Sequence, residues 1–142
     1  MSLFFFLHII SNFTMLGVIW IIQLIHYPSF ALVDPKLFAS FHHKHTRRIS
    51  YVVMPAMLME LFSGIALWVL TPQFVYKIYY GFILLCIGLI WGCTFFLSVP
   101  LHQKLERGFD ETSIQKLVRT NWPRTILWSL KSVFLVYLWI EM

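Results

Sequence analysis

Charged side chains are scarce in this chain of 142 residues. Asp, Glu, Lys and Arg make up 12% of it, whereas hydrophobic residues make up 59%, and the mean hydropathy is +0.75. Soluble domains carry about 25% charged residues, so this composition argues against a soluble globular protein. The length leaves room for one domain, 1–142, and the composition places that domain among integral membrane proteins.

Cysteine is also scarce, and several common catalytic motifs are missing. Cys86 and Cys93 lie in one apolar run, where a helix would place them two turns apart, too far for a disulfide. The sequence has no phosphate-binding glycine-rich loop, no nucleophile elbow and no Cys-x-x-Cys motif. The enzyme chemistries that use these motifs therefore have no support.

Four apolar runs are long enough to cross a bilayer, for which about 20 residues are needed. They predict an all-α integral membrane fold, an antiparallel four-helix transmembrane bundle. The spans are Leu3–Ile25, Ser50–Leu70, Tyr76–Val99 and Trp122–Ile140. In the third span, Gly88 and Gly92 lie four residues apart, a spacing that predicts close helix packing.

Basic residues are concentrated in the loops after the first and third spans. They are Lys36, Lys44, Arg47, Arg48, Lys104, Arg107, Lys116, Arg119 and Arg124, whereas the remaining loop holds only Lys77. The positive-inside rule then predicts a multi-pass membrane protein, with both long loops in the cytoplasm and both termini outside. We expect this face to contact anionic lipid and not nucleic acid. Whether the protein forms a homo-oligomer or joins a larger membrane complex stays open.

Both long loops are expected to be partly helical. Asp34-Pro35 has the pattern of an N-cap followed by proline at the first helical position. The segment after it either lies on the membrane surface or extends the second span. In the other loop, Gly108 is expected to end a short helix, and Thr112-x-x-Gln115 resembles a capping box.

Two opposite charges interrupt the apolar spans. Glu60 and Lys131 both lie roughly 15 Å from the cytoplasmic ends of their spans, at 1.5 Å per residue. A charge at mid-bilayer costs at least about 2.5–3.5 kcal/mol, so we expect an intramembrane ion pair. The pair either fixes helix register alone, or holds Glu60 ready as a catalytic proton acceptor or metal ligand.

A polar stripe follows the first span at steps of three or four residues. Its members are His8, Asn12, Met15, Ile19, Gln23 and His26. Polar side chains in a spanning helix are expected to face the protein interior. The stripe predicts either interhelical hydrogen bonds or one wall of an internal pocket.

Histidines cluster near the predicted cytoplasmic edge. His26, His42, His45 and His102 are candidate ligands of a transition metal or of haem, because imidazole is the commonest metal-binding side chain. No tight spacing such as H-E-x-x-H is present, and a basic loop that contacts lipid is the alternative interpretation.

Together these residues predict one cavity that opens toward the cytoplasm. His26, His45 and Glu60 are expected to line it, with His42 and His102 at its rim. Arg48 and Arg124 would flank the mouth and could receive an anionic or quinone-like head group. The candidate cofactor-binding residues of this cavity are His26, Arg48 and Arg124.

Several motifs together resemble a group of small bacterial four-span membrane proteins without an assigned activity. The motifs are His26-Tyr-Pro-Ser-Phe30, His45-Thr-Arg-Arg48, Pro55-x-x-x-x-Glu60 and Asn121-Trp-Pro-Arg-Thr125-x-x-Trp128. This resemblance covers nearly the whole chain and implies the same four-span fold in the bacterial inner (cytoplasmic) membrane.

Two shorter resemblances concern enzymes. The first span, with His8 and a Pro-x-Phe exit, resembles the opening of the haem-dependent membrane protoporphyrinogen oxidases, which implies His8 as a haem ligand. In that family the second haem ligand is a lysine in a later span. Lys131 lies on a span that does not correspond to it. Asn121-Trp-Pro-Arg124 resembles anthrone-oxygenase-like membrane proteins.

Two classes of function follow from these observations. The first is a haem- or metal-binding membrane oxidoreductase, with Glu60 and Lys131 as catalytic residues. The alternative is a non-enzymatic protein: a lipid or small-molecule binder, a minor transporter or an accessory subunit of a membrane complex. Whether the protein is an enzyme stays open at this point.

Overall fold

The computed structural model describes residues 3–141, which form four long helices joined by short connections. Helix α1 runs over Leu3–Leu32, α2 over Phe38–Leu70, α3 over Phe74–Leu105 and α4 over Glu111–Glu141. Residues 3–141 contain no strand, so this part of the chain is all-helical, as predicted. Met1, Ser2 and Met142, which the predicted domain 1–142 includes, lie outside the described residues.

Helices α1, α2 and α3 are long and apolar enough to cross a membrane. Helix α4 is not among the three candidate spans. It carries Arg119, Arg124 and Lys131 within its length, and these charges interrupt its apolar sequence. The structure thus supports a helical membrane protein with three candidate spans, and the predicted fourth span belongs to the proposals below.

The four helices form a bundle in which each one packs against two neighbours. Helices α1 and α3 both contact α2 and α4. The apolar core has three layers from end to end. Representative residues are Phe5, Ile83 and Leu138 at one end, Met15, Met57 and Trp128 in the middle, and Phe30, Phe38 and Leu117 at the other end.

Helix α2 extends the predicted second span well beyond Ser50. It begins at Phe38 and not directly after Asp34, so the predicted N-cap is wrong. The Asp34 carboxylate accepts a hydrogen bond from the Lys36 backbone N–H at 2.8 Å, and this bond stabilises the turn before the helix. The histidines of this segment therefore lie on a continuation of α2.

Helix α4 begins at Glu111, and the predicted Thr112-x-x-Gln115 capping box does not form its start. Asp110 lies directly before the helix, where the Ser113 hydroxyl donates to its carboxylate. Asp110 also pairs with Lys104 at 2.6 Å, a contact that joins the end of α3 to the start of α4. Gly108 adopts a φ of 148° in this connection and ends the preceding helical segment, as predicted.

The glycines of α3 do not pack as predicted. A Cβ atom added at Gly88 or Gly92 would meet nothing within 4 Å in the described chain. The close approach occurs at Gly64 of α2, where a Cβ would lie 3.2 Å from the side chains of Leu84 and Ile87 and 3.4 Å from His8. The missing side chain of Gly64 therefore lets α1, α2 and α3 come together.

Two π-helical turns interrupt the α-helices. They are Ile22–His26 in α1 and Thr94–Ser98 in α3. Each is followed two residues later by a proline, Pro28 or Pro100. Proline has no N–H and its ring collides with the carbonyl four residues earlier, and a π turn with its extra residue can accommodate this defect. Such turns are frequent at functional sites, and both lie beside the site described next.

Candidate functional site

Glu60 and Lys131 meet in the middle of the bundle. Their side chains are almost completely buried, and the Lys131 ammonium contacts the Glu60 carboxylate. The Trp128 indole N–H also donates to this carboxylate, at 3.2 and 3.3 Å from its two oxygens. The two residues, predicted to lie at one depth, are brought together.

His8 lies close to this pair. Its Nδ1 forms a 2.9 Å hydrogen bond with the Ser63 hydroxyl, which also donates to the Glu60 carbonyl at 3.2 Å. The His8 ring has no exposed surface, and its Nε2 has no hydrogen-bond partner. A haem iron could reach that nitrogen only if the helices moved apart, so the packing around His8 does not fit a haem.

The other buried members of the polar stripe also face inward, as predicted. The Asn12 amide donates to Ser132 of α4 at 2.7 Å. Further along α1, the Gln23 side chain donates to the Val118 carbonyl at 3.1 Å and accepts from Asn121 at 2.9 Å. These bonds attach α1 to α4 between Asn12 and Gln23.

Arg124 of α4 is the second buried cation. It is 5% exposed, and its Nη1 donates to Asn121 at 3.0 Å and to Ser98 at 3.2 Å. Its guanidinium lies 5.3 Å from the centre of the Trp128 ring. Arg124 forms neither of the two salt bridges found within residues 3–141, and its Nε has no hydrogen-bond partner. Within residues 3–141, Arg124 therefore has hydrogen bonds and a ring contact but no salt-bridge partner.

The predicted histidine cluster divides into two pairs. His26 Nε2 and His45 Nδ1 lie 2.6 Å apart, and His42 Nε2 and His102 Nδ1 lie 3.0 Å apart. The Tyr27 hydroxyl forms a 3.0 Å hydrogen bond with His102 Nε2. His42 is fully buried and does not lie at a rim as predicted.

The geometry of these pairs does not form a metal centre. Across residues 3–141, no group of three or more His, Cys, Asp or Glu side chains could hold a metal ion. The metal-ligand role of the four histidines stays a prediction without a matching site.

Two separate cavities replace the single one that was predicted. The inner cavity, about 270 Å³, lies between α2 and α3, and Arg124 reaches it from α4. The outer groove, about 560 Å³, lies between α1 and α2 and includes His26 and Arg48. His45 lines both, but Glu60 lines neither, because its carboxylate is already enclosed by Lys131 and Trp128. Arg48 and Arg124 thus belong to different cavities and do not flank one mouth.

The inner cavity has a polar end and apolar walls. Tyr27, Ser98, His102 and Arg124 provide polar groups at one side. The walls are formed mainly by apolar side chains: Ile49, Val53, Met54, Met57, Trp91 and Phe95. Glu106 lies at the exposed edge of the same cavity. An apolar pocket with a few convergent polar groups is the usual form of a small-molecule site.

Sequence reasoning missed Tyr27 and Ser98 as site residues. Tyr27 lies directly before Pro28, and Ser98 lies two residues before Pro100. A proline within an apolar helical run indicates a local defect in helical hydrogen bonding. The two prolines were therefore the signal in the sequence that could have identified Tyr27 and Ser98 as candidate site residues.

Comparison with known proteins found no relative of this chain. The chain matches no protein-family model, no curated protein and no solved structure.

Proposed function

We propose that this chain is a four-span membrane protein that binds an amphiphilic small molecule in the inner cavity, with the ligand's anionic or carbonyl oxygen at Arg124. The observation that carries this proposal is the buried Arg124 guanidinium, which among residues 3–141 has no carboxylate partner and has one unpaired N–H. A buried charge is costly unless it is paired. A ligand oxygen in the cavity would supply the missing partner.

The position of Arg124 favours a ligand over a structural explanation. The Glu60 carboxylate already contacts Lys131, so Arg124 is left inside the bundle without a salt-bridge partner among residues 3–141. Asn121 and Ser98 hold the guanidinium at the cavity wall, and Tyr27 and His102 add further hydrogen-bonding groups there. Arginine suits carboxylate and phosphate groups because its N–H donors form a planar fork.

The size of the inner cavity favours an amphiphile. Its volume of about 270 Å³ lies near the lower limit of ordinary ligand pockets, roughly 300–1,000 Å³. It would hold a head group and the first part of a tail. The tail would follow the apolar side chains of Val53, Met54 and Phe95 toward the lipid.

The proposal that α4 also crosses the membrane is supported by the pattern of its exposed side chains. An apolar stripe on its outer face extends for about 20 Å at 1.5 Å per residue. Its members are Ile126, Leu130, Val133, Tyr137 and Ile140, each at least 48% exposed. Lys131 and Arg124 face the opposite way, into the bundle. Such inward charges and outward apolar residues are typical of a helix in lipid.

Chemical analysis of the purified protein tests the binding proposal. Wild type, Arg124→Gln and the control Arg119→Gln are purified from membranes in mild detergent, and their small-molecule content is extracted and measured by mass spectrometry. Arg119 is exposed on the same helix, so its replacement changes the same charge outside the cavity. We expect an acidic or carbonyl amphiphile at near one per chain in wild type and control, but not in Arg124→Gln. Equal content in all three proteins would contradict the proposal.

A haem- or metal-binding oxidoreductase stays a prediction from sequence, since the described residues give it no matching site. The visible spectrum and metal content of the same preparations decide between the two functions. A Soret band or stoichiometric metal would favour the oxidoreductase.

A further inference from the structure

The outer groove between α1 and α2 has the form of an amphiphile site of its own. Its floor is apolar and is formed by Val18 and Ile21 of α1 and by Ile49 and Val52 of α2. Lys44 and Arg48 lie on its wall at the end nearest the α1–α2 connection. A single groove thus combines an apolar surface with two basic side chains at one end.

The spacing of residues along α2 sets the distance between the basic end of the outer groove and its apolar floor. Lys44, Arg48 and Val52 follow one another at intervals of four residues and therefore share one face of the helix. Lys44 and Val52 are about 12 Å apart along the axis at 1.5 Å per residue. The change from basic to apolar over this distance matches the change from the phosphate level of a bilayer to its acyl chains.

The two basic side chains have no carboxylate partners within the described residues. The two salt bridges between residues 3 and 141 are Lys104–Asp110 and Lys131–Glu60. Both Lys44 and Arg48 are exposed, so they are free to meet a group from outside. The His26 and His45 rings, joined to each other at 2.6 Å, line the groove next to them and add polar groups.

We infer that an anionic phospholipid binds in the outer groove, with its phosphate at Lys44 and Arg48 and one acyl chain along the apolar floor. The charge of the groove selects the head group. A zwitterionic lipid would bring its own ammonium group toward two unpaired cations, whereas an anionic lipid brings no such repulsion. The inference does not depend on the proposed ligand at Arg124, because different basic residues carry the two sites.

Lipid competition in nanodiscs tests this site. Wild type and variants are reconstituted in mixtures of phosphatidylglycerol and phosphatidylcholine, and native mass spectrometry after release measures which lipid stays bound. The Lys44→Gln/Arg48→Gln variant removes both charges from exposed positions. Lys116→Gln/Arg119→Gln is the matched control, since it removes two exposed charges of α4 that line neither cavity. Val52→Trp fills the groove from a residue that is 46% exposed.

We expect Lys44→Gln/Arg48→Gln to lower the preference for phosphatidylglycerol by roughly 10- to 30-fold, since a direct charge contact with the phosphate at an exposed site contributes up to about 1 kcal/mol for each residue. The control should keep the wild-type preference, and Val52→Trp should lose the retained lipid. Equal losses in both charge variants would show general attraction to a basic face and overturn the site. An unchanged preference in Lys44→Gln/Arg48→Gln would do the same. Full retention by Val52→Trp would overturn the placement of the acyl chain.

Discussion

Within residues 3–141, the basic side chains of Lys131 and Arg124 are buried in different surroundings. Lys131 contacts the Glu60 carboxylate of α2 across the bundle, whereas Arg124 meets amide, hydroxyl and indole groups. The first arrangement is complete within the chain, and the second leaves a positive charge and an unpaired N–H beside a cavity. This difference between two residues on one helix is the basis of the proposed function.

The Glu60–Lys131 contact predicts a characteristic response to mutation. Lys131→Met should destabilise the protein by about 3–5 kcal/mol, because it leaves a buried carboxylate without its cation. Glu60→Gln/Lys131→Met should recover most of that loss, since it removes both charges together. Thermal unfolding in detergent of the wild type, both single variants and the double variant gives the coupling energy. A double variant whose loss equals the sum of the single losses would show that the two residues act independently.

Much of the residue-scale arrangement could be predicted from sequence. The equal depth of Glu60 and Lys131 and the inward face of the His8 stripe follow from the cost of polar groups in lipid. The separation of Arg48 from Arg124 could not be predicted in this way. It depends on which gap between helices each side chain enters, and that is a matter of helix rotation and packing.

At the scale of elements, the close contact between α1, α2 and α3 depends on Gly64. Leu84 and Ile87 side chains lie where a Cβ at this position would approach to 3.2 Å. Gly88 of α3 has open space around it. The two glycines therefore form a matched pair for testing the helix packing.

Gly64→Leu should destabilise the protein by about 1–3 kcal/mol or more, because the added atoms overpack a filled interface. Gly88→Leu should leave the unfolding temperature of the monomer close to that of wild type, since nothing lies within 4 Å of its added Cβ. Thermal melts in the same detergent compare the two variants. A larger loss at Gly88 than at Gly64 would contradict the packing of these helices.

The junction of α3 and α4 should depend on pH. Hydrogen bonds from Lys104 and Ser113 hold the pKa of the Asp110 carboxyl below its ordinary value. A lowered pKa in the folded state gives stability that is present above the unfolded pKa of about 4 and is lost as pH falls through the folded pKa. Asp110→Asn should therefore lose less stability than wild type between pH 6 and pH 3.

Glu111→Gln is the control for this junction, because Glu111 accepts a hydrogen bond from Gln115 but has no salt bridge in the described chain. Melting temperatures across the pH range measure the effect. The same acid-dependent loss in Asp110→Asn as in wild type would show that the Asp110 contacts add no stability.

Element boundaries were the least predictable part of the fold. The four apolar runs predicted four helices, but α2 begins at Phe38 and α3 continues to Leu105, so both exceed the predicted spans. Apolar length marks only the part of a helix that lies in lipid. The helical continuation outside it is stabilised by packing of Phe30, Phe38, Leu105 and Leu117, which no periodicity within one helix reveals.

For the whole molecule, we propose four crossings with both termini outside the cell. The basic residues of the two long connections support this orientation. Single cysteines in a variant without Cys86 and Cys93 should be labelled by an impermeant reagent on intact cells at Lys77, but not at Arg107. Labelling at Arg107 with protection at Lys77 would reverse the orientation, and labelling at both would mean that α3 does not cross.

The inner cavity with Arg124 is the central claim for the whole molecule, and a binding titration tests it most directly. The probes are a long-chain fatty acid and its methyl ester, which differ in the charge of the head group, measured by calorimetry on wild type, Arg124→Gln and Arg119→Gln. A hydrogen bond to a charged group is worth about 1.5–3 kcal/mol. We therefore expect wild type and Arg119→Gln to prefer the acid by roughly 10- to 100-fold, and Arg124→Gln to bind both probes alike. The same preference for the acid in Arg124→Gln as in wild type would contradict the account.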